Sequence, residues 1–326
     1  MLRNFKRILS CLIIIIIVAF CINHIGTVCS PVYSGDAFNS IDTFHSLPEN
    51  SVELIAYGSS HLWKGLDVTE MYKKYGIAAY NYGCNWQHLN TTLLFIKDSL
   101  KTQSPKVALV ETFNVNGILE NTDLNGEIYY TRAIENSKAK SEYLKQCFGD
   151  DYTRYLSYYV PFVAFHSNWN NLIQWNFMNP TDGFDFLKTM GSFSSDGVMK
   201  IELPDYKTFE QWSISAKPRA VLNEIVKICK ENDIELVLYT APFGREYTLS
   251  DALKEYAKEN DCVYLNLFEY TDEMKIDPSK DFVDVGHLNS SGAKKVAAFL
   301  GKYISSKYDV TDMREIPDNF WEKNIK

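Results

Sequence analysis

Short apolar runs alternate with amphipathic segments from residue 52 onward, and this alternation restricts the fold more than any other feature of the chain. Five of these runs have the length and the boundaries of buried strands. The predicted strands are residues 52–57, 78–82, 106–111, 234–240 and 262–267, and the predicted helices are residues 66–75, 86–100, 218–232, 250–260 and 289–308. Strands that alternate with helices form parallel sheets covered on both faces. The sequence therefore predicts an α/β fold, a three-layer sandwich with a mostly parallel sheet.

The N-terminus carries a membrane signal. Arg3, Lys6 and Arg7 precede an apolar run over residues 8–22. Because basic residues stay on the cytoplasmic side, the remainder of the chain is predicted to be exported. We predict that residues 1–29 are an uncleaved single-pass anchor in the cell membrane. A cleavable signal peptide, which would give a secreted protein, is the alternative.

The rest of the chain divides by composition. Residues 30–50 are polar and rich in turn-forming residues, so they are predicted to be a linker. Residues 51–326 are predicted to form the α/β domain, with a helical, aromatic-rich insertion at about 118–215 that is interrupted at Pro161. The insertion is where the regular alternation of strands and helices lapses.

Charge and motifs exclude several classes of function. The net charge is −8, and the body without its three N-terminal basic residues carries −11. An acidic body argues against binding to nucleic acid, which needs a basic surface. The seven cysteines form no CxxC pair or Cys/His cluster with zinc spacing. No phosphate-binding glycine loop or HExxH motif is present. We therefore expect no cofactor and no metal.

Two motifs at opposite ends of the body carry candidate catalytic groups. Gly58 ends the first predicted strand, and Ser60 follows at the mouth of the sheet, where a serine can be exposed for attack. Asp284 and His287 lie three residues apart before the last helix, so His287 can act as a base that Asp284 orients. The alternative for both motifs is ordinary turn and helix-cap chemistry, to which Asn289 also contributes.

Together, the GSSH turn after the first strand and the DxxHLNxxG run before the last helix resemble the SGNH (GDSL-like) hydrolase superfamily over about residues 50–305. That resemblance implies a catalytic triad of Ser60, Asp284 and His287. Ser60 takes the third place of the first motif, where Ser59 stands in place of the family's aspartate.

The same resemblance implies the donors that hold a tetrahedral oxyanion. They are the amide of Ser60, the amide of Gly83 after the second strand, and the side chain of Asn114 after the third strand. Asn116 is the alternative to Asn114.

With its N-terminal anchor, the chain also resembles membrane-anchored bacterial cell-envelope O-acyltransferase and acetylesterase proteins. This resemblance implies serine-dependent ester hydrolysis, or O-acyl transfer with acetyl as the expected group, on a cell-envelope glycan or another acylated carbohydrate. It also implies a multi-spanning membrane O-acyltransferase as partner. The alternative is a catalytically inactive subunit that binds glycan or acts as a scaffold.

Four further residues are candidates for substrate contact. His61 follows the candidate nucleophile, His88 follows the second strand, and Arg245 follows the fourth strand, where it can bind an anionic group. Trp169, with Trp175, can form a sugar platform or a lid, although core packing of the insertion is the competing interpretation.

Overall fold

The computed structural model describes residues 2–29, 36–120, 131–171 and 184–325. The strands are β1 Leu54–Tyr57, β2 Ala79–Asn81, β3 Val107–Glu111, β4 Glu235–Thr240 and β5 Val263–Asn266. The α-helices are α1 Leu2–Val28, α2 Asp36–Ser46, α3 Ser60–Trp63, α4 Val68–Tyr75, α5 Leu89–Ser99, α6 Lys138–Phe148, α7 Tyr152–Tyr159, α8 Pro161–Phe165, α9 Phe186–Thr189, α10 Ala216–Glu231, α11 Ser250–Glu259, α12 Ser290–Lys307 and α13 Phe320–Asn324. Short 3-10 helices cover His166–Asn171, Tyr206–Thr208, Leu267–Tyr270 and Met313–Glu315.

The five strands form one parallel sheet in the order β2-β1-β3-β4-β5. Strands β1, β2 and β3 are buried at every position, as expected of strands covered on both faces. The predicted α/β sandwich and its five strands are confirmed. In this strand order the chain reverses direction between β1 and β3, and ligands of such folds gather outside the carboxyl ends of the strands at that switch point.

Two pairs of helices cover the sheet. Helix α4 packs with α12, and α5 packs with α10. Right-handed crossovers place these two pairs on opposite faces, because β1 connects to β2 in one direction and the chain then returns past β1 to β3. Helix α4 begins at the Asp67 cap and α12 at the Asn289 cap. The Asn289 cap fixes where the loop that carries Asp284 and His287 must end.

Helix α1 is the apolar N-terminal segment. Its residues Asn4–Val28 are long and apolar enough to cross a membrane, with a mean hydropathy of 2.8, and no residue of its most apolar stretch is buried. A signal sequence has the same properties. At its carboxyl end Gly26 packs against the backbone of Phe162, and Cys29 is buried beside Phe165.

The prediction that residues 30–50 are a linker is wrong for the part that the structure describes. Residues 36–46 form α2, which buries Ile41 and Phe44, and Leu47 directly after the helix is buried as well. The Phe44 ring stacks on Tyr82, with 4.3 Å between ring centroids. The three apolar residues recur at helical spacing, so α2 covers the sheet beside β2. Residues 30–35 lie outside the described part.

We expect Phe44→Ala to lower the free energy of unfolding by about 3–5 kcal/mol, because the fully buried ring leaves a cavity beside β2. Denaturant unfolding of the full chain in detergent measures this change. The exposed neighbour substitution Asp42→Ala is the control, and an equal, small effect of both would mean that α2 does not belong to the core.

Between β3 and α10 the structure describes the helices α6, α7 and α8 and the 3-10 helix His166–Asn171, whereas residues 190–205 contain neither helix nor strand. Helix α7 ends at Tyr159 and α8 begins with Pro161 at its first position, so the chain breaks at the predicted proline. Residues 121–130 and 172–183, which include Trp175, lie outside the described part. The limits of the insertion remain a prediction.

Candidate active site

A pocket of about 430 Å³ opens at the carboxyl ends of the strands. Residues that follow β1, β2, β3 and β4 line it, together with the loop before α12. Ser60, Asp284 and His287 all contribute to its wall. The sheet therefore brings together side chains that are 227 positions apart in the sequence.

These three side chains form a continuous hydrogen-bonded chain. Ser60 Oγ lies 2.7 Å from His287 Nε2. His287 Nδ1 lies 2.9 Å from each carboxylate oxygen of Asp284. With Nδ1 donating to the carboxylate, Nε2 is left to accept the Ser60 proton, which is the tautomer that a serine nucleophile needs.

Asp284 is held by its own loop as well as by His287. Its Oδ1 accepts hydrogen bonds from the amides of Gly286, at 2.7 Å, and His287, at 2.9 Å. Partial burial raises the pKa of Asp284, but the hydrogen bonds from His287 and Gly286 outweigh it and leave the pKa below its ordinary value. The group is therefore a carboxylate at neutral pH, able to stabilise a positively charged His287.

The turn that presents Ser60 rests on a buried carboxylic acid. Ser59 Oγ donates to Glu111 Oε2 at 2.9 Å and accepts from the His61 amide at 3.3 Å. Glu111 Oε1 also accepts from the Phe113 amide at 2.6 Å. A side chain at position 58 would begin 2.6 Å from the Glu111 Cβ, so only glycine fits there. Glu111, which the sequence analysis did not single out, thereby holds the turn after β1 against the turn after β3.

Glu111 is fully buried, and burial raises its pKa to about 7 despite the hydrogen bonds from Phe113 and Ser59. The folded protein thus binds a proton at Glu111 at pH values where the unfolded chain, with an ordinary pKa of 4.5, has lost it. Because stability falls with pH wherever the folded state binds more protons, Glu111 costs stability progressively between about pH 4.5 and 7.

We therefore expect the free energy of unfolding of the wild type to fall by about 3 kcal/mol between pH 4.5 and pH 8 because of Glu111. The variant Glu111→Gln should not show this fall. The neutral amide can still accept from the Phe113 amide, which preserves the turn. Denaturant unfolding across this pH range measures the change, with the exposed Glu235→Gln as control. Parallel pH profiles of wild type and Glu111→Gln would contradict this account.

His61 forms the floor of the pocket. Its ring stacks on Phe113, with 3.6 Å between centroids, and meets Phe243 edge-on at 5.0 Å. Burial and the neighbouring His287 lower its pKa to about 3, so it is neutral at physiological pH. Within the described residues neither ring nitrogen has a hydrogen-bond partner.

Gly83 is not among the residues that line the pocket, and its expected oxyanion role stays a prediction. Gly83 is buried, and its N–H donates to Asn81 Oδ1 at 3.2 Å. A Cβ at this position would lie 2.9 Å from the Leu62 side chain and 3.0 Å from the Gly58 carbonyl oxygen. Glycine is therefore needed here for close packing behind Ser60. Asn85, two residues further on, lines the pocket instead.

The other expected oxyanion donors are better placed. Asn114 lines the pocket, and one of its two amide hydrogens is donated to the Gln87 carbonyl oxygen at 3.3 Å, which leaves the second for a ligand. The Ser60 amide has no hydrogen-bond partner among the described residues. Asn116 bonds to Ser213 and Ser215, away from the pocket, so Asn114 is the better of the two alternatives.

Of the four expected substrate contacts, His61 and Arg245 line the pocket. His88 does not, because it lies against Gly117 at the start of α5. Trp169 is 66% exposed and is also not part of the pocket wall. The aromatic residue that does line it is Trp86, which the sequence analysis passed over.

Comparisons with known proteins give remote likenesses of shape only. No protein-family model and no curated protein matches the chain. A predicted acylhydrolase from Bacteroides fragilis is similar, with 12% identity and a TM-score of 0.40 over 82% of this chain and 94% of that one. A GDSL-like lipase from Bacteroides thetaiotaomicron has the same identity and TM-score over 84% of this chain and 99% of that one. We take the function from the pocket itself.

Proposed function

We propose that the chain is a serine-dependent ester hydrolase or O-acyltransferase of the SGNH type. The observation that carries this proposal is the continuous hydrogen-bonded chain from Ser60 through His287 to Asp284. Capping and turn formation explain each motif separately. They do not require Ser60 Oγ and His287 Nε2 to meet across the sheet edge in an open pocket.

In the proposed reaction, Ser60 Oγ attacks the ester carbonyl while His287 Nε2 takes its proton. The Ser60 amide and the Asn114 side chain hold the resulting oxyanion, with Asn85 as a third donor in place of Gly83. Collapse breaks the bond to the alcohol, which leaves with the proton from His287. The acyl group on Ser60 then passes to water or to an acceptor hydroxyl, and Ser60 regains its proton.

The environment of the reaction is also a proposal. If α1 anchors the chain with its basic end in the cytoplasm, the pocket works outside the cell membrane, on an acylated envelope glycan. Acetyl transfer, and partnership with a multi-spanning membrane O-acyltransferase, are consistent with that arrangement. The choice between water and an acceptor hydroxyl decides whether the protein is an esterase or a transferase.

The proposal is tested by labelling the full chain, in detergent, with a fluorophosphonate probe. Such a probe reacts with serines that a neighbouring base activates. We expect labelling of wild type and of Ser305→Ala, a remote control on α12, and none of Ser60→Ala. Labelling that survives in Ser60→Ala would assign the activated group elsewhere.

A non-catalytic scaffold is the second candidate, and one observation favours it. The Gly83 amide, an expected oxyanion donor, is engaged within its own turn. Absence of labelling in every variant, with glycan binding retained, would support this candidate over the enzyme.

A further inference from the structure

We propose that Lys64, Arg245 and Trp86 form a subsite beside Ser60 for a sugar ring that carries an anionic group, a carboxylate or a phosphate. The inference rests on the proposed function and deepens it, because it assigns the substrate class. The three residues come from the turns after β1, β4 and β2, and they line the same pocket as Ser60 and His287.

The two cations are available for a ligand. Within the described part of the chain, neither Lys64 nor Arg245 has a carboxylate within ion-pair distance. Asp284, the acidic group in the pocket wall, is already satisfied by His287 and by two amides, and Glu111 is buried behind Ser59. Two cations without an ion-pair partner among the described residues therefore face one cavity, beside the Asp284 carboxylate, in a protein whose net charge is −8.

Both positive charges act within the pocket. Burial and His287 lower the pKa of His61 most, Asp284 opposes them, and Lys64 and Arg245 each lower it further, so both cations lie near that ring. An acidic body repels polyanions at long range, and a pair of local cations offsets this repulsion where the ester must bind. A neutral glycan would leave both cations without a partner.

Trp86 supplies the aromatic surface. Its side chain is 70% exposed at the pocket, and its φ of +57° is rare for a bulky residue. The turn is held by the Cys84 amide, which donates to the Gly58 carbonyl oxygen at 3.2 Å. An exposed indole presents a flat apolar face, which suits stacking on a sugar ring.

His61 adds an unpartnered polar side chain to the wall of the same pocket. It is 93% buried, as its exposed fraction is 7%, and both of its ring nitrogens lack a partner among the described residues. A neutral imidazole that is buried in this way loses free energy that a hydrogen bond recovers.

The test compares three acetyl esters of one sugar on the full chain in detergent: methyl O-acetylglucoside, the matching glucuronoside, and the matching glucoside 6-phosphate. Two partly exposed ion pairs predict a kcat/KM about tenfold higher for an anionic ester than for the neutral one. The double variant Lys64→Gln/Arg245→Gln should bring that ratio close to one. Lys258→Gln, an exposed cation on α11, is the control and should leave the ratio unchanged.

Preference for the glucuronoside or for the 6-phosphate identifies the anionic group and supports the subsite. Equal rates for all three esters overturn it while leaving the proposed function intact. If none of the esters turns over, calorimetry measures the binding of the three deacetylated glycosides to Ser60→Ala and decides whether the subsite exists. Selective binding of an anionic glycoside supports the subsite, and equal or absent binding overturns it. Fluorophosphonate labelling reports separately on the proposed function.

Discussion

Ser60→Ala and His287→Ala are each expected to lower kcat for ester hydrolysis by about 10⁴-fold or more, and the double variant is expected to lose no more than either. The reason is the 2.7 Å contact between Ser60 Oγ and His287 Nε2. A serine without its base is a weak nucleophile, and a base without its serine has nothing to activate. The two substitutions therefore remove the same interaction.

Turnover of a simple aryl acetate, followed spectroscopically on the full chain in detergent, measures these rates. Ser305→Ala is the matched control, because this serine is exposed on α12 and bonds only within its own helix. Additive losses in the double variant would mean that the two residues act in separate steps. A loss below tenfold in either single variant would contradict the proposed nucleophile and base.

The parallel sheet could be predicted because its signal is local. Runs such as residues 106–111 and 234–240 are apolar, short and bounded by turn residues, and burial on both faces imposes that pattern. The fold class also predicts that the carboxyl ends of all the strands lie at one edge of the sheet. That rule was enough to expect Ser60 at this edge, but its grouping with Asp284 and His287 came from the resemblance to the SGNH superfamily, because their contact depends on packing between distant segments.

The oxyanion donors could not be predicted in the same way, because the direction of an amide depends on turn geometry rather than on residue type. Gly83 has the expected residue type, yet its N–H points to Asn81. Asn85 and Trp86 line the pocket from a turn in which Trp86 has a positive φ, a conformation that its residue type does not predict. Glu111 had a detectable signal, since a carboxylic acid ends an otherwise apolar strand.

Helix α2 was missed for a different reason. Its polar residues outnumber its apolar ones, and composition alone therefore indicated a linker. The spacing of Ile41, Phe44 and Leu47 carried the opposite information, because one buried face is enough to hold a short helix on a sheet. The composition of a segment does not record where its apolar residues lie, so it does not reveal that they share one face.

The second large effect is expected from Asp284→Asn, which should lower kcat by about 10³-fold with little change in KM. The amide oxygen of asparagine can still accept from the Gly286 and His287 amides, so the loop keeps its shape. The amide cannot stabilise the imidazolium that forms when His287 takes the Ser60 proton, and it favours the wrong imidazole tautomer. Because the Asp284 side chain is 45% exposed, we expect a smaller loss than for Ser60→Ala.

Steady-state kinetics and the rate of fluorophosphonate labelling should fall together in Asp284→Asn, since both depend on activation of Ser60. Asp309→Asn, at an exposed site after α12, is the matched control. If the loop only caps α12, the protein should tolerate Asp284→Asn. The Asn289 cap would survive, and so would the hydrogen bonds from the Gly286 and His287 amides to the side chain at position 284. A labelling rate within tenfold of wild type would therefore indicate that the Asp-x-x-His loop is structural and would contradict the triad.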